Sequence, residues 1–306
     1  MDMTTPAGHA LRAPTAADAK AVAALLRARD VADLGEPELT IADVRADWEA
    51  PDVDLAADAW VVENADGGLS GYAIVTGADV LVAVHPEATG RGLGTELRLA
   101  AERRSRARGT RVVRQFVPTA NTAARALLLD AEWWPVHHYF RMQIALDDAP
   151  PPPDVLARTF DPERDTEQVW HLVQGAYSSV EGHLPQSLEG WRATVIDKPG
   201  WDPALGILLH DAQGIVGVAL GERGERGERP RERSGVVTTL AVAHRARGRG
   251  HGRTLLLLLL AAFRRGGLRF AEAAVHGPSA VAARVFESAG MTASRRSERW
   301  EKVLGG

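Results

Sequence analysis

Apolar residues recur along this chain in two rhythms. A helical spacing marks 19–29, where Val22, Leu25 and Leu26 fall on one face. Thr15 or Asp18 can cap its start, and Gly35-Glu36-Pro37 ends it. Thr40 opens a second helix that reaches Trp48. Alternating or short continuous apolar runs predict strands at 10–14, 59–64, 69–76, 79–84, 111–117 and 136–146. Asp66-Gly67-Gly68 predicts a hairpin turn between two of them. Further helices are expected up to about residue 108 and over 121–130. The pattern then restarts, with strands at 155–160, 205–210, 215–220, 236–242 and 269–275. Helices are expected at 165–177 and 187–196, through 263, and at 280–288, with two closing strands at 291–296 and 299–304. Between the two rounds, 149–154 carries four consecutive prolines, Pro150 to Pro153, which favour an extended, semi-rigid linker.

The second round is a copy of the first. Arg12 matches Arg158 and Gly71 matches Gly217, both at an offset of 146. Gly92 matches Gly250, Asn121 matches Ser279 and Trp133 matches Met291, all at 158. The difference of 12 falls where residues 222–233 add a run of four Glu and five Arg, read as an insertion in a solvated loop. The expected organisation is a first domain over 1–148, the linker 149–154 and a second domain over 155–306.

Composition narrows the chemistry. The 306 residues are 45% hydrophobic and 25% charged, a globular balance long enough for two domains. A net charge of -4 carries no signature of nucleic acid or of a polybasic membrane contact, so neither partner is expected. With no cysteine, disulfides, thiolate metal sites and a Cys nucleophile are excluded, and no other metal-ligand spacing occurs. His137 and His138 are adjacent on a strand and point to opposite faces, so they form no metal pair. The first ten residues lack a basic and an apolar signal region, and the run 254–263 is about half a membrane span, so a cytoplasmic protein is expected.

The candidate chemistry centres on Arg247-Gly248-Arg249-Gly250-His251-Gly252, set between an apolar strand and an apolar helix. Such a turn lets an anion approach the backbone, where the helix start offers unpaired N–H groups and the positive end of its dipole. A second copy stands at Thr89-Gly90-Arg91-Gly92-Leu93-Gly94. The order β-α-α-β-β-β-α-β-α-β-β, with Arg247-x-x-Gly250-x-Gly252 after the fourth strand, resembles the GCN5-related N-acetyltransferases (GNATs). The tandem arrangement is similar to the two-domain members of that family.

The resemblance implies an α/β (α+β) fold of two tandem GNAT domains, each a mixed, mostly antiparallel sheet flanked by helices. It implies acetyl-CoA as co-substrate, no metal, and direct transfer of acetyl to a primary amine of a small molecule. Leu240, Ala241 and Val242 would offer backbone groups to the pantetheine and a donor to the thioester oxygen. Arg247 to Arg253 (Arg247, Gly248, Arg249, Gly250, His251, Gly252, Arg253) would cradle the pyrophosphate, with Ser279 alongside. Val82, Val84, Gly90, Arg91, Gly92, Leu93, Gly94 and Asn121 form a possible second CoA site. That copy has Thr89 for the leading Arg or Gln, Leu128 where a tyrosine is common and Glu132-Trp133 for the Gly-aromatic ending. The first domain is therefore expected to hold acetyl-CoA weakly or to serve as structure, and the second to be catalytic.

The second copy departs at Phe286, which stands where many GNATs carry the tyrosine that protonates the thiolate. Three readings follow: another group is the acid, the thiolate leaves unassisted, or the domain binds acyl-CoA without turnover. On the acceptor side, the loop 177–185 and Trp191 place Tyr177, Glu181 and Trp191 as substrate-binding residues. Glu181 and His183 are candidate bases, as is His276 after the fifth strand. A protein N-terminus or lysine is the alternative acceptor. The internal pseudo-dimer suggests a monomer or a homodimer.

Overall fold

The computed structural model describes residues 10–37, 39–178, 180, 183–198, 201–224, 234–277 and 281–305. In chain order the first elements are β1 (Ala10–Arg12), α1 (Ala19–Leu34), α2 (Ile41–Trp48), α3 (Leu55–Asp58), β2 (Ala59–Glu63), β3 (Leu69–Thr76) and β4 (Asp79–Val84). Then come α4 (Leu93–Ala107), β5 (Val112–Pro118), α5 (Thr122–Asp130) and β6 (Trp134–Ala145). The second round comprises β7 (Ala157–Thr159), α6 (Pro162–Tyr177), α7 (Leu188–Val195), β8 (Gly206–Asp211), β9 (Gly214–Arg223) and β10 (Ser234–Val242). It closes with α8 (His251–Arg265), β11 (Phe270–Gly277), α9 (Val281–Ser288) and β12 (Thr292–Val303).

Two compact units result: Met1–His137 with Arg296–Gly306, and His138–Arg295. In the first, strands run β1-β2-β3-β4-β5-β12, and β12 pairs antiparallel with β5 from Ser297↔Pro118 to Val303↔Val112. In the second they run β6-β11-β10-β9-β8-β7, and β6 pairs antiparallel with β11 from Ala145↔Phe270 to His138↔Gly277. Each unit thus takes its closing strand from the other round of the sequence. Each sheet is mixed and mostly antiparallel; the parallel pairs are β4·β5 and β10·β11. The two closing strands expected at 291–304 are one continuous strand, because Arg296-Ser297-Glu298-Arg299 holds no glycine or proline to break it. The charged insertion begins as strand, since β9 continues to Arg223; residues 225–233 lie outside the described residues.

The repeat is visible in contacts. A Cβ on Gly71 would lie 2.8 Å from Leu97 Cδ1, and one on Gly217 would lie 2.7 Å from Leu255 Cδ1. In both units a strand glycine lets the helix after the turn sit close on the sheet. Glu132 holds φ 61° where the second copy has Gly290 at φ 91°, so the first copy accepts a strained turn that glycine avoids.

α8 is the core helix of the second unit. Leu255, Leu256, Leu257, Leu259, Leu260 and Phe263 are all buried. Each such side chain contributes roughly 1.5–3 kcal/mol of transfer free energy. The Phe263 ring lies against two paired strands: a Cβ on Gly221 would come within 2.4 Å of it and one on Gly235 within 2.6 Å. Among the described residues no helix is long and apolar enough to cross a membrane.

Candidate active site

In the second unit β10 and β11 pair in parallel only from Ser234↔Phe270 to Val237↔Ala273. A register shift between Val237 and Thr239 then interrupts β10, and Leu240, Ala241 and Val242 pair with β9 alone. The two parallel strands therefore part, leaving one backbone edge of Leu240–Val242 open. α8 begins just beyond, entered through Gly248 at φ 76° and Gly250 at φ 82°. Both values lie in the left-handed region that favours glycine. No side chain caps α8, whereas Asn121, Asp161 and Ser187 cap α5, α6 and α7. Its first N–H groups are thus left for a ligand, at the positive end of a 15-residue helix.

These features line one cavity of about 640 Å³, with Tyr177, Leu240, Val242, Arg247, Gly250 and Gly252 on its walls. The cradle is open where phosphate oxygens would sit: a Cβ on Gly248 or Gly250 meets nothing within 4 Å. Arg247 Nη2 donates to the Ala176 carbonyl at 2.7 Å, tying the turn to the end of α6. Arg253 Nε donates to the Ser288 carbonyl at 2.7 Å and ties α8 to α9. Arg245 hydrogen-bonds Asp211 and holds that carboxyl at about 2, so it stays ionised beside the cationic turn. A strand edge, an uncapped helix and a ring of arginines fit a long ligand with a diphosphate at one end and amides behind it.

The expected residues are only partly brought together. Arg249 is exposed and outside the cavity lining. Glu181 and Ser279 lie outside the described residues. Trp191 is not on the acceptor surface; it is 2% exposed, packed with Phe160, Val169, Val173 and Ile196 beneath the helices. Its place on the buried face of α7 explains this. His276 does not line the cavity; its ring stacks on Tyr139, with centroids 5.9 Å apart. His183 also stands off the lining, with Nε2 3.3 Å from Gln174 Oε1 and its ring 5.9 Å from Tyr177. Tyr177 reaches in: its hydroxyl donates to the Leu240 carbonyl at 3.2 Å and accepts the Leu240 N–H at 3.4 Å. Phe286 points away into the core, 8% exposed among Leu255, Ala289 and Met291. Arg284, Val285 and Ser288 face the cavity from α9 instead and were missed from sequence; their helical spacing toward α8 is the signal that could have found them.

The first unit has the same plan with a different interior. β4 and β5 pair in parallel only at Asp79↔Arg114, and Gly90 and Gly92 take φ 83° and 81° before an uncapped α4. The cavity there is about 270 Å³, and Val82, Val84, Gly90, Gly92, Leu93, Gly94 and Asn121 are among the residues that line it. Arg91 does not; its Nη2 donates to the Glu87 carbonyl at 3.2 Å. Arg29, Arg98 and Gln115, none of them anticipated, line it too. Arg29 pairs with Asp33 at 2.5 Å, and Arg98 pairs with Glu102. Gln115 Nε2 donates to the Val82 carbonyl at 3.3 Å, crossing the gap where the strands part. Among the described residues no cluster of three His, Asp or Glu could hold a metal ion.

A splayed parallel pair followed by an uncapped glycine turn, present twice, is the architecture of an acetyltransferase. The sequence matches the acetyltransferase (GNAT) family over residues 27–130 and 166–291, and the chain belongs to that family. Mycothiol acetyltransferase of Geodermatophilus obscurus is 28% identical, with 92% of this chain and 94% of that protein aligned. Mycothiol acetyltransferase of Thermomonospora curvata is 33% identical over 74% of this chain and 76% of its own length. A GCN5-related N-acetyltransferase from Sphaerobacter thermophilus superposes with TM-score 0.68 at 30% identity, covering 99% of this chain and 98% of that one. A tandem GNAT protein from the clavulanic acid pathway shares the fold at TM-score 0.57 and 17% identity, over 97% of this chain and 99% of its own.

Proposed function

We propose that this acetyltransferase moves the acetyl group of acetyl-CoA onto a primary amine of a small molecule, and that its second unit carries the reaction. The observation that carries this reading is the second unit's open wedge: the edge of Leu240–Val242 that no strand pairs, the uncapped start of α8 and Arg247 lie on one cavity of about 640 Å³. The pyrophosphate would rest on the N–H groups of 250–253, and the pantetheine amides along Leu240–Val242. The Leu240 N–H would then face the thioester oxygen and stabilise charge building there. The first unit, with a smaller cavity and Gln115 across its gap, would hold acetyl-CoA without turnover or serve as structure. The functional repeats would be 1–148 and 155–306, joined by 149–154. The name of the relatives, mycothiol acetyltransferase, suggests an acceptor of the mycothiol type. Glu181 and His183, which follow α6 in the sequence, would hold the ammonium and take its proton.

The test is thiol release from acetyl-CoA with a panel of small amines, comparing the wild type with Gly250→Asp. Turnover that survives this substitution undiminished sinks the assignment to the second unit. Phe286, buried without a hydroxyl, favours one competing reading, an acyl-CoA-binding module without turnover. Calorimetric binding of acetyl-CoA with no acetylated product across amine and peptide panels would establish that alternative.

A further inference from the structure

The acid role that Phe286 cannot fill has another candidate in this cavity. Resting on the acetyl-transfer reading above, we propose that Tyr177 is the proton donor to the departing thiolate. Among the described residues of this cavity, two carry a hydroxyl, Tyr177 and Ser288. Ser288 donates to the Val285 carbonyl of its own helix at 2.7 Å, a shorter bond than the 3.2 Å one from Tyr177 to the Leu240 carbonyl, so the Tyr177 proton is the more readily released of the two. Tyr177 comes from α6, and its hydroxyl meets both backbone groups of Leu240. That contact brings a phenol to the point where the strands part, which is where the Leu240 N–H would meet the thioester oxygen.

The 3.4 Å bond from the Leu240 N–H to the phenol oxygen is the longer of the two and is made to a neutral acceptor. A thioester oxygen that gains negative charge is the better partner for that N–H. Acetyl-CoA would exchange one oxygen for the other and leave the Tyr177 hydroxyl about one oxygen diameter, ~3 Å, from its former site, within hydrogen-bond reach of the sulfur. The groups around it suit the role. Burial pushes the Tyr177 phenol up from its ordinary value, with the Leu240 backbone hydrogen bond working against this, so the proton is in place at neutral pH. Among the described residues, its titratable and charged neighbours include His183, ring to ring at 5.9 Å, and Arg247, which donates to the carbonyl of the preceding residue, Ala176; His251, Arg253 and Arg284 line the same cavity.

The atoms balance without a further reactant. The amine nitrogen forms a bond to the acetyl carbon, the carbon–sulfur bond breaks, and the electron pair goes to sulfur. Sulfur takes the Tyr177 proton. The tyrosinate recovers one from the nitrogen, directly or through water past His183. The net change is one proton moved from nitrogen to sulfur.

Tyr177→Phe keeps the ring and removes the proton. Expected is a fall of about 100-fold in the rate of thiol release at saturation. Calorimetric affinity for acetyl-CoA should stay equal or become tighter, because the Leu240 N–H is freed. A plug that merely occupies the site would tighten binding and leave the maximal rate unchanged, and that result overturns the proposal. 3-Fluorotyrosine incorporated at position 177 covers the case in which the Phe variant fails to fold. Its more acidic phenol should draw the alkaline limb of kcat to lower pH, and an unmoved limb overturns the acid role. The Gly250→Asp comparison separates the two readings. Wild-type turnover lost in Gly250→Asp but kept in Tyr177→Phe defeats this proposal alone, whereas a wild type without turnover defeats both.

Discussion

Consider an aspartate placed in each glycine turn, Gly250→Asp in the second unit and Gly92→Asp in the first. Both positions have left-handed φ, 82° and 81°, and both immediately precede an uncapped helix. At Gly250 a Cβ meets nothing within 4 Å, so the substitution displaces no neighbour. The backbone strain for an L-residue there is about 1–2 kcal/mol, and less for Asp than for a bulky residue. The electrostatic effect on a ligand is larger. A carboxylate ~5 Å from a phosphate, at an effective dielectric of ~20–40, repels it by about 1.5–3 kcal/mol. Two phosphates at unequal distances, screened by salt at the rim of the cavity, give a net loss of about 2–4 kcal/mol. That is about 30- to 1000-fold in Kd.

Isothermal calorimetry with acetyl-CoA on the wild type, Gly250→Asp and Gly250→Ala separates charge from strain. Gly250→Ala carries the strain without the charge and should bind within a few-fold of wild type while melting lower. Gly250→Asp should lose the tight site, and Gly92→Asp should keep it. Wild-type affinity in Gly250→Asp would refute the argument that α8 receives the diphosphate. Loss of the tight site in Gly92→Asp alone would move it to the first unit.

Three other outcomes test the packing and charge of the two units. Glu102 is 2% exposed and accepts from Arg98, Trp133 and Lys302, so Glu102→Gln should destabilise the first unit by about 3 kcal/mol in a denaturant titration. Phe263 fills the space over Gly221 and Gly235, so Phe263→Ala should cost about 3–5 kcal/mol in the second unit, measured the same way. Burial acts to raise the pKa of Asp165, but its hydrogen bonds from Arg158, the Asp161 N–H and Arg164 prevail and hold it at about 2. A carboxyl depressed in the folded state contributes stability above its unfolded value of ~3.9 and loses that contribution as pH falls through the folded one. Melting temperature should therefore drop between pH 4 and 2 in the wild type, and drop less in Asp165→Asn.

Much of this was legible in sequence because it is local. The glycine turns, the strands before them and the helices after them are set by neighbours within a few residues, and the shared offsets of the two copies located both turns. Trp191 lies in the core rather than at a surface for a reason that sequence order does not display. An aromatic near a polar loop reads as exposed, but its helical position aims it inward. The closing strands show the same limit. The sequence pattern predicts strand at 136–146, 291–296 and 299–304, but which sheet each joins depends on pairing partners far away in the chain. The contact of Tyr177 with Leu240 spans 63 residues and leaves no periodic trace.

The copies differ most where the parallel strands part, and the differences all act in one direction. At an offset of 158, Val82 corresponds to Leu240, Gln115 to Ala273 and Arg98 to Leu256. In the first unit Gln115 spans from β5 to the Val82 carbonyl, and Arg98 occupies the wall with its counter-charge Glu102. In the second unit the β11 position is a small Ala273 that reaches no carbonyl, and Leu256 lies in the core. The carbonyl at the vertex is met there by Tyr177, which reaches it from α6 rather than from the opposing strand. A bond across the strand gap must break before a thioester can pass along it. A bond from α6 leaves the gap between β10 and β11 open and needs only one side chain to turn. The difference in cavity size, about 270 Å³ against about 640 Å³, is consistent with that distinction. These differences support the proposal that the unit whose vertex is guarded from the side carries the chemistry, with the first unit's Gln115 and Arg98 spanning and filling the space an acyl group would need.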